Sequence, residues 1–80
     1  MYTVYVLKSK TKNWHYVGLT NNIERRLSQH NQGKSQSTKA YRPFKLIYTR
    51  IFSDRISARN YEKFLKIQSN KEKLIESINI

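Results

Sequence analysis

The sequence predicts an α+β fold: a three-stranded antiparallel sheet flanked by three helices, in the order β-β-α-β-α-α. Three observations carry this expectation. Two apolar, aromatic stretches, 2–8 and 14–19, flank a polar turn, which is how an antiparallel hairpin reads. A third alternating stretch runs from Phe44 to Phe52. Between and after them lie segments with helical periodicity and capping residues.

Each element has its own local reason. In 2–8, β-branched and aromatic side chains alternate, and Lys8 to Asn13 forms the polar turn. Asn21 followed by Glu24 reads as a capping box opening a helix to about Asn31, where Gly33 ends it. Residues 31–42 form a polar, basic loop. In the third strand, Phe44, Leu46 and Tyr48 are expected on one face and Lys45, Ile47 and Thr49 on the other. Ser53 or Asp54 caps a second helix running to about Lys66. Ser69-Asn70-Lys71-Glu72 reads as another capping box, starting a short helix over about 69–78 with Leu74, Ile75 and Ile78 as its apolar stripe. The 80 residues make one domain, 1–80: a core of about 2–66 and this C-terminal helix.

Composition narrows the function. Sixteen basic against five acidic residues give a net charge of +11, where about 2–8 suffices for solubility. Such a field attracts polyanions, above all phosphate backbones. The aromatic content of 12% argues against a disordered basic tail. The absence of Cys excludes a disulfide scaffold and a Cys-based zinc site. No apolar run approaches the roughly 20 residues of a membrane helix, and no basic segment precedes the first apolar stretch as in a secretory signal. A soluble, cytoplasmic protein with no membrane partner is expected.

Several side chains carry chemistry. Tyr5 and Tyr16 each share a strand face with Leu7 and Gly18 respectively, and a register pairing the two phenols suits the turn. Gly18 leaves space beside them or lets a backbone approach. The bland alternative is a cross-strand aromatic pair that only stabilises the sheet. On the first helix, Ile23, Leu27 and His30 form the inward stripe, Arg26 borders it, and Arg25 points nearer solvent. Arg26 is either a site residue or a snorkelling side chain; His30 is either functional or a half-buried imidazole bonded to a carbonyl. On the second helix, Ala58, Tyr61, Glu62 and Leu65 share the inward face. An inward carboxylate needs a cation, either a metal or an ion-pair partner such as Arg26 or Lys66. The five carboxylates are spread over three helices, so any metal-assisted chemistry is expected to use one ion.

These residues resemble a known family. Val4-Tyr5-Val6 looks like the GIY element, and Tyr16-Val17-Gly18 matches the YIG element as YVG, with the two tyrosines eleven residues apart. Arg26, His30 and Glu62 fall where GIY-YIG endonucleases carry functional positions. The stretch from Tyr2 to about Lys66, including GLTNNIERRLSQHN (18–31) and RPFKLIY (42–48), resembles small stand-alone bacterial GIY-YIG proteins and the N-terminal nuclease domain of the bacterial excinuclease. The resemblance implies a divalent-metal-dependent phosphodiester hydrolase acting on DNA. A structure-selective endonuclease for repair or recombination intermediates is the finer expectation.

By the same resemblance, Tyr5 serves as general base, Tyr16 assists the water or binds the phosphate, and Arg26 stabilises phosphoryl charge. His30 supports proton transfer, Glu62 ligates one Mg²⁺ or Mn²⁺, and Gly18 keeps the phosphate path open. The family's late Asn has no matched counterpart; Asn70 and Asn79 lie in unmatched segments. No separate DNA-binding region is expected beside the nuclease core, so backbone contacts are expected from Arg25 and from the basic loop, through Lys34, Lys39, Tyr41 and Arg42. No small-molecule cofactor is implied. The alternative function is a nucleic-acid-binding module with weak or no catalysis, acting within a larger assembly.

Overall fold

A computed structural model describes residues 1–78. Its elements are β1 (Tyr2–Ser9), β2 (His15–Thr20), α1 (Ile23–Asn31), a 3₁₀ turn (Lys39–Tyr41), β3 (Phe44–Phe52), α2 (Arg55–Lys66) and α3 (Gln68–Ile78). The sheet is antiparallel with the order β2-β1-β3, so β1 is central. This is the α+β arrangement expected from the sequence.

The central strand is buried on both faces, which explains its unbroken run Val4-Tyr5-Val6-Leu7. On one face Val4, Val6 and Val17 pack with Ala58 and Leu65 of α2 and with Leu74 of α3. On the other, Tyr5, Leu7 and Phe44 pack with Ile23 and Leu27 of α1 and with Trp14, Tyr16, Tyr41 and Leu46. Two small cores thus lie on opposite sides of one sheet.

The strands depart from simple alternation in two places. Tyr5 pairs with Gly18, and Tyr16 pairs with Leu7. The phenols are therefore diagonal rather than opposite, which corrects the expected register. The second place is β3. Val6 pairs with Tyr48 while Leu7 pairs with Leu46, so Ile47 is the extra residue of a bulge. One extra residue moves everything beyond it to the other face. Phe44 and Leu46 accordingly join the Tyr5 core, whereas Tyr48 and Phe52 join the Val4 core.

Helix boundaries follow their caps. Asn22, not Asn21, caps α1: its side chain accepts from the Arg25 backbone N–H at 3.1 Å. Gly33 lies just past the end with φ +77°, and its N–H and that of Lys34 reach back to His30 and Gln29 carbonyls. That double closure needs a left-handed residue, which glycine supplies without strain. Asp54 caps α2 by accepting from Ser57 N–H at 2.8 Å. α3 starts at Gln68, so Ser69 lies inside it rather than capping it. Ile67 is extended, and its carbonyl accepts from Lys71 N–H to open the helix. Asn70 donates to the Phe64 carbonyl at 3.0 Å, tying α3 to the end of α2. Asn79 lies outside the described residues.

Candidate active site

The site grows from the β1–β2 hairpin and the helix that follows it. β1 places Tyr5 on the α1 side of the sheet, where its ring lies over Gly18 of β2. A Cβ at position 18 would collide with the Tyr5 ring and hydroxyl. Glycine is therefore required here by the ring itself. The Tyr16 ring stands 6.3 Å from that of Tyr5 and 5.2 Å from that of His30, centroid to centroid. The two phenols do share a site, despite their diagonal register.

His30, on the last turn of α1, is fully buried rather than half-buried. Its partners are two hydroxyls and no carbonyl: Nε2 lies 3.0 Å from Tyr5 Oη, and Nδ1 lies 2.8 Å from Thr38 Oγ1. Thr38 is also fully buried. It comes from the polar loop, where Ser-Gln-Ser-Thr offers no periodicity, so no pattern in the sequence singles it out. Burial pushes the Tyr5 phenol up to about 12, a rise that the nearby Arg26 opposes. Burial lowers His30 to about 4, and the charge of Arg26 acts in the same direction. At neutral pH both groups are uncharged.

Arg26 is half-buried on α1 and donates to Gln29 Oε1 at 3.2 Å. That single bond to a neutral partner leaves most of its donors available. Its neighbour Arg25 is exposed. Glu62 is buried on α2, 8% exposed, and forms ion pairs with Lys66 Nζ at 3.1 Å and Arg59 Nε at 3.7 Å. Of the two expected partners, Lys66 and not Arg26 pairs with it, together with Arg59. Glu62 opens into a pocket of about 360 Å³ shared with Tyr2, Thr20 and Asn21 at the end of β2. Its charge reaches Tyr5 and disfavours the phenolate. Tyr5, Tyr16, Arg26 and His30 therefore form one cluster, whereas Glu62 lines a separate opening that none of these four lines.

The basic loop divides by role. Lys34 and Lys39 are exposed. Arg42 donates to the Gln32 carbonyl at 3.2 Å and packs where a Cβ of Gly33 would be, bracing the end of α1. Tyr41 stacks on Trp14, centroids 4.0 Å apart and planes 13° apart, with the Lys12 ammonium 5.0 Å above its ring. Trp14, absent from the expected site, links this loop to Tyr16 through a second stack at 6.1 Å.

A family model of the GIY-YIG catalytic domain matches residues 1–75. The chain belongs to the GIY-YIG family. Among relatives, the UPF0213 protein YazA of Bacillus subtilis is 39% identical over 70 residues, covering 86% of this chain and 70% of the relative. The UPF0213 protein SH2523 of Staphylococcus haemolyticus is 40% identical over 72 residues, covering 89% and 87%. A solution NMR structure of a UPF0213 protein from Bacillus halodurans superposes with a TM-score of 0.59 at 31% identity, covering 94% and 82%. GIY-YIG membership carries nuclease-type phosphodiester hydrolysis at the level of the family. No helix among the described residues is long and apolar enough to cross a membrane.

Proposed function

We propose that this GIY-YIG protein is a divalent-metal-assisted DNA endonuclease that cuts repair or recombination intermediates. The observation that carries the reading is the hydrogen bond between Tyr5 Oη and His30 Nε2, buried beside Arg26. A phenol raised to about 12 is a poor base alone. Coupled to an imidazole at 3.0 Å, it can take a proton from water while its own proton passes to Nε2.

Arg26 links binding to this transfer. Its guanidinium fork suits two phosphoryl oxygens. A bound phosphate offsets the charge by which Arg26 lowers His30 and so eases protonation of the ring. Tyr16, whose ring lies beside both others, would orient the water or hold a phosphate oxygen. Arg25, Lys34 and Lys39 would grip the flanking backbone, which sets position rather than sequence preference. Gly18 acts beneath Tyr5, while Tyr41 and Arg42 support the loop.

The donor set fits one hard cation. No group of three or more metal-binding side chains occurs among the described residues, and Glu62 is a single carboxylate open to a polar pocket. One Mg²⁺ can be held by one carboxylate, with water and substrate phosphate completing the shell. Glu62 would hold it by exchanging its contact with Lys66. The ion supplies charge neutralisation at the phosphoryl and leaving oxygens.

A second reading has its own observation: Glu62 is already satisfied by two cations. A nucleic-acid-binding module with weak or no catalysis would keep those pairs and bind through the +11 field alone. Incubation with linear, nicked and branched DNA plus Mg²⁺ or Mn²⁺ separates the two. Metal-dependent cleavage is expected; salt-sensitive binding without any cleavage would establish the second reading.

A further inference from the structure

His30 is buried with both ring nitrogens engaged, and each faces a hydroxyl. The ring is neutral at ordinary pH, so it carries one proton, with one nitrogen donating and one accepting. Two hydroxyls therefore compete for a single acceptor nitrogen. The phenol, ordinarily near 10, is a far stronger acid than the aliphatic hydroxyl of Thr38 and so the stronger donor. Arg26, whose hydrogen bonding favours the Tyr5 oxygen, has no acceptor to offer that phenol. The Tyr5 proton thus lies toward Nε2, and the ring proton must sit on Nδ1. Thr38 Oγ1 then accepts at 2.8 Å, and its own hydrogen rotates away from the ring.

We propose that Thr38 is a positioning residue: by accepting from Nδ1–H it holds His30 in the tautomer whose bare Nε2 faces Tyr5. The opposite tautomer would aim an N–H at the phenol oxygen and leave His30 unable to receive a proton there. The Thr38 hydroxyl bonds to His30 and not to Tyr5, and it does not line the pocket at Glu62, so it acts through His30 alone. Its effect on turnover rests on the nuclease reading above; the tautomer itself does not.

Long-range ¹H–¹⁵N correlation spectra of the ¹⁵N-labelled full chain near neutral pH read the tautomer directly. The wild type is expected to carry its His30 proton on Nδ1. Thr38→Ser is expected to keep that pattern and the cleavage rate. Thr38→Val is expected to mix or reverse the tautomer and to slow cleavage roughly tenfold or more. A wild-type proton on Nε2 would overturn the assignment. An unchanged tautomer in Thr38→Val would overturn the positioning role. Should Thr38→Val fail to fold, the wild-type and Thr38→Ser spectra decide alone. The expected spectra from a chain that cuts no DNA would uphold the tautomer and overturn the nuclease reading instead.

Discussion

The Tyr5 ring occupies the space that a side chain at position 18 would fill. The pairing of Tyr5 with Gly18 across the hairpin makes this possible, and it delivers the phenol hydroxyl to His30. Gly18→Ala is expected to push the ring out of place. Overpacking of this kind costs about 1–3 kcal/mol, read as a lower urea midpoint. Cleavage is expected to fall with it, because the Tyr5–His30 bond cannot survive the displacement. An alanine variant as stable and active as wild type would mean the ring has another resting place.

Much of this architecture is legible in the sequence because it depends on local periodicity. The hairpin, the α1 stripe of Ile23, Leu27 and His30, and the inward position of Glu62 all follow from counting by two or by 3.6. What periodicity misses is whatever one residue can shift. The hairpin register turns on which residue faces Gly18. The β3 face turns on the bulge at Ile47. Asn21 and Asn22 are equivalent as letters, and only backbone geometry selects the cap. Thr38 is hidden for a different reason: its partner is eight residues away, across a loop without pattern.

Acid should weaken the protein through His30. In the folded chain this ring accepts a proton only near pH 4, against 6.5 when unfolded. Between these values the unfolded chain binds more protons, so the stability from keeping His30 neutral is complete above about pH 6.5 and is lost toward pH 4. His15, also lowered by burial, adds to the same trend. An NMR titration of His30 is expected to give a midpoint near 4; a midpoint near 6.5 would contradict its burial.

Glu62→Gln separates a metal ligand from a structural ion pair. Its partners Lys66 and Arg59 are 51% and 56% exposed, so losing the pairs should cost no more than about 1 kcal/mol. Cleavage should drop about a hundredfold or more, and excess Mg²⁺ should not restore it. A large loss of stability with unchanged cleavage would make Glu62 structural.

The loop lysines should show themselves in salt dependence. Lys34→Ala with Lys39→Ala removes two exposed cations without touching the bond that Arg42 makes to Gln32. The slope of log binding constant against log salt should fall by roughly two, about one per lost phosphate contact. An unchanged slope would place the nucleic acid on another face.

On the nuclease reading, buried Tyr5, joined to His30, activates water at a DNA phosphate. Single-turnover cleavage of a branched duplex in Mg²⁺, compared between wild type and Tyr5→Phe, tests it most directly. The phenylalanine keeps the ring over Gly18 and deletes only the hydroxyl. A fall of about a hundredfold or more with DNA binding retained is predicted; equal cleavage by the two proteins would contradict the account.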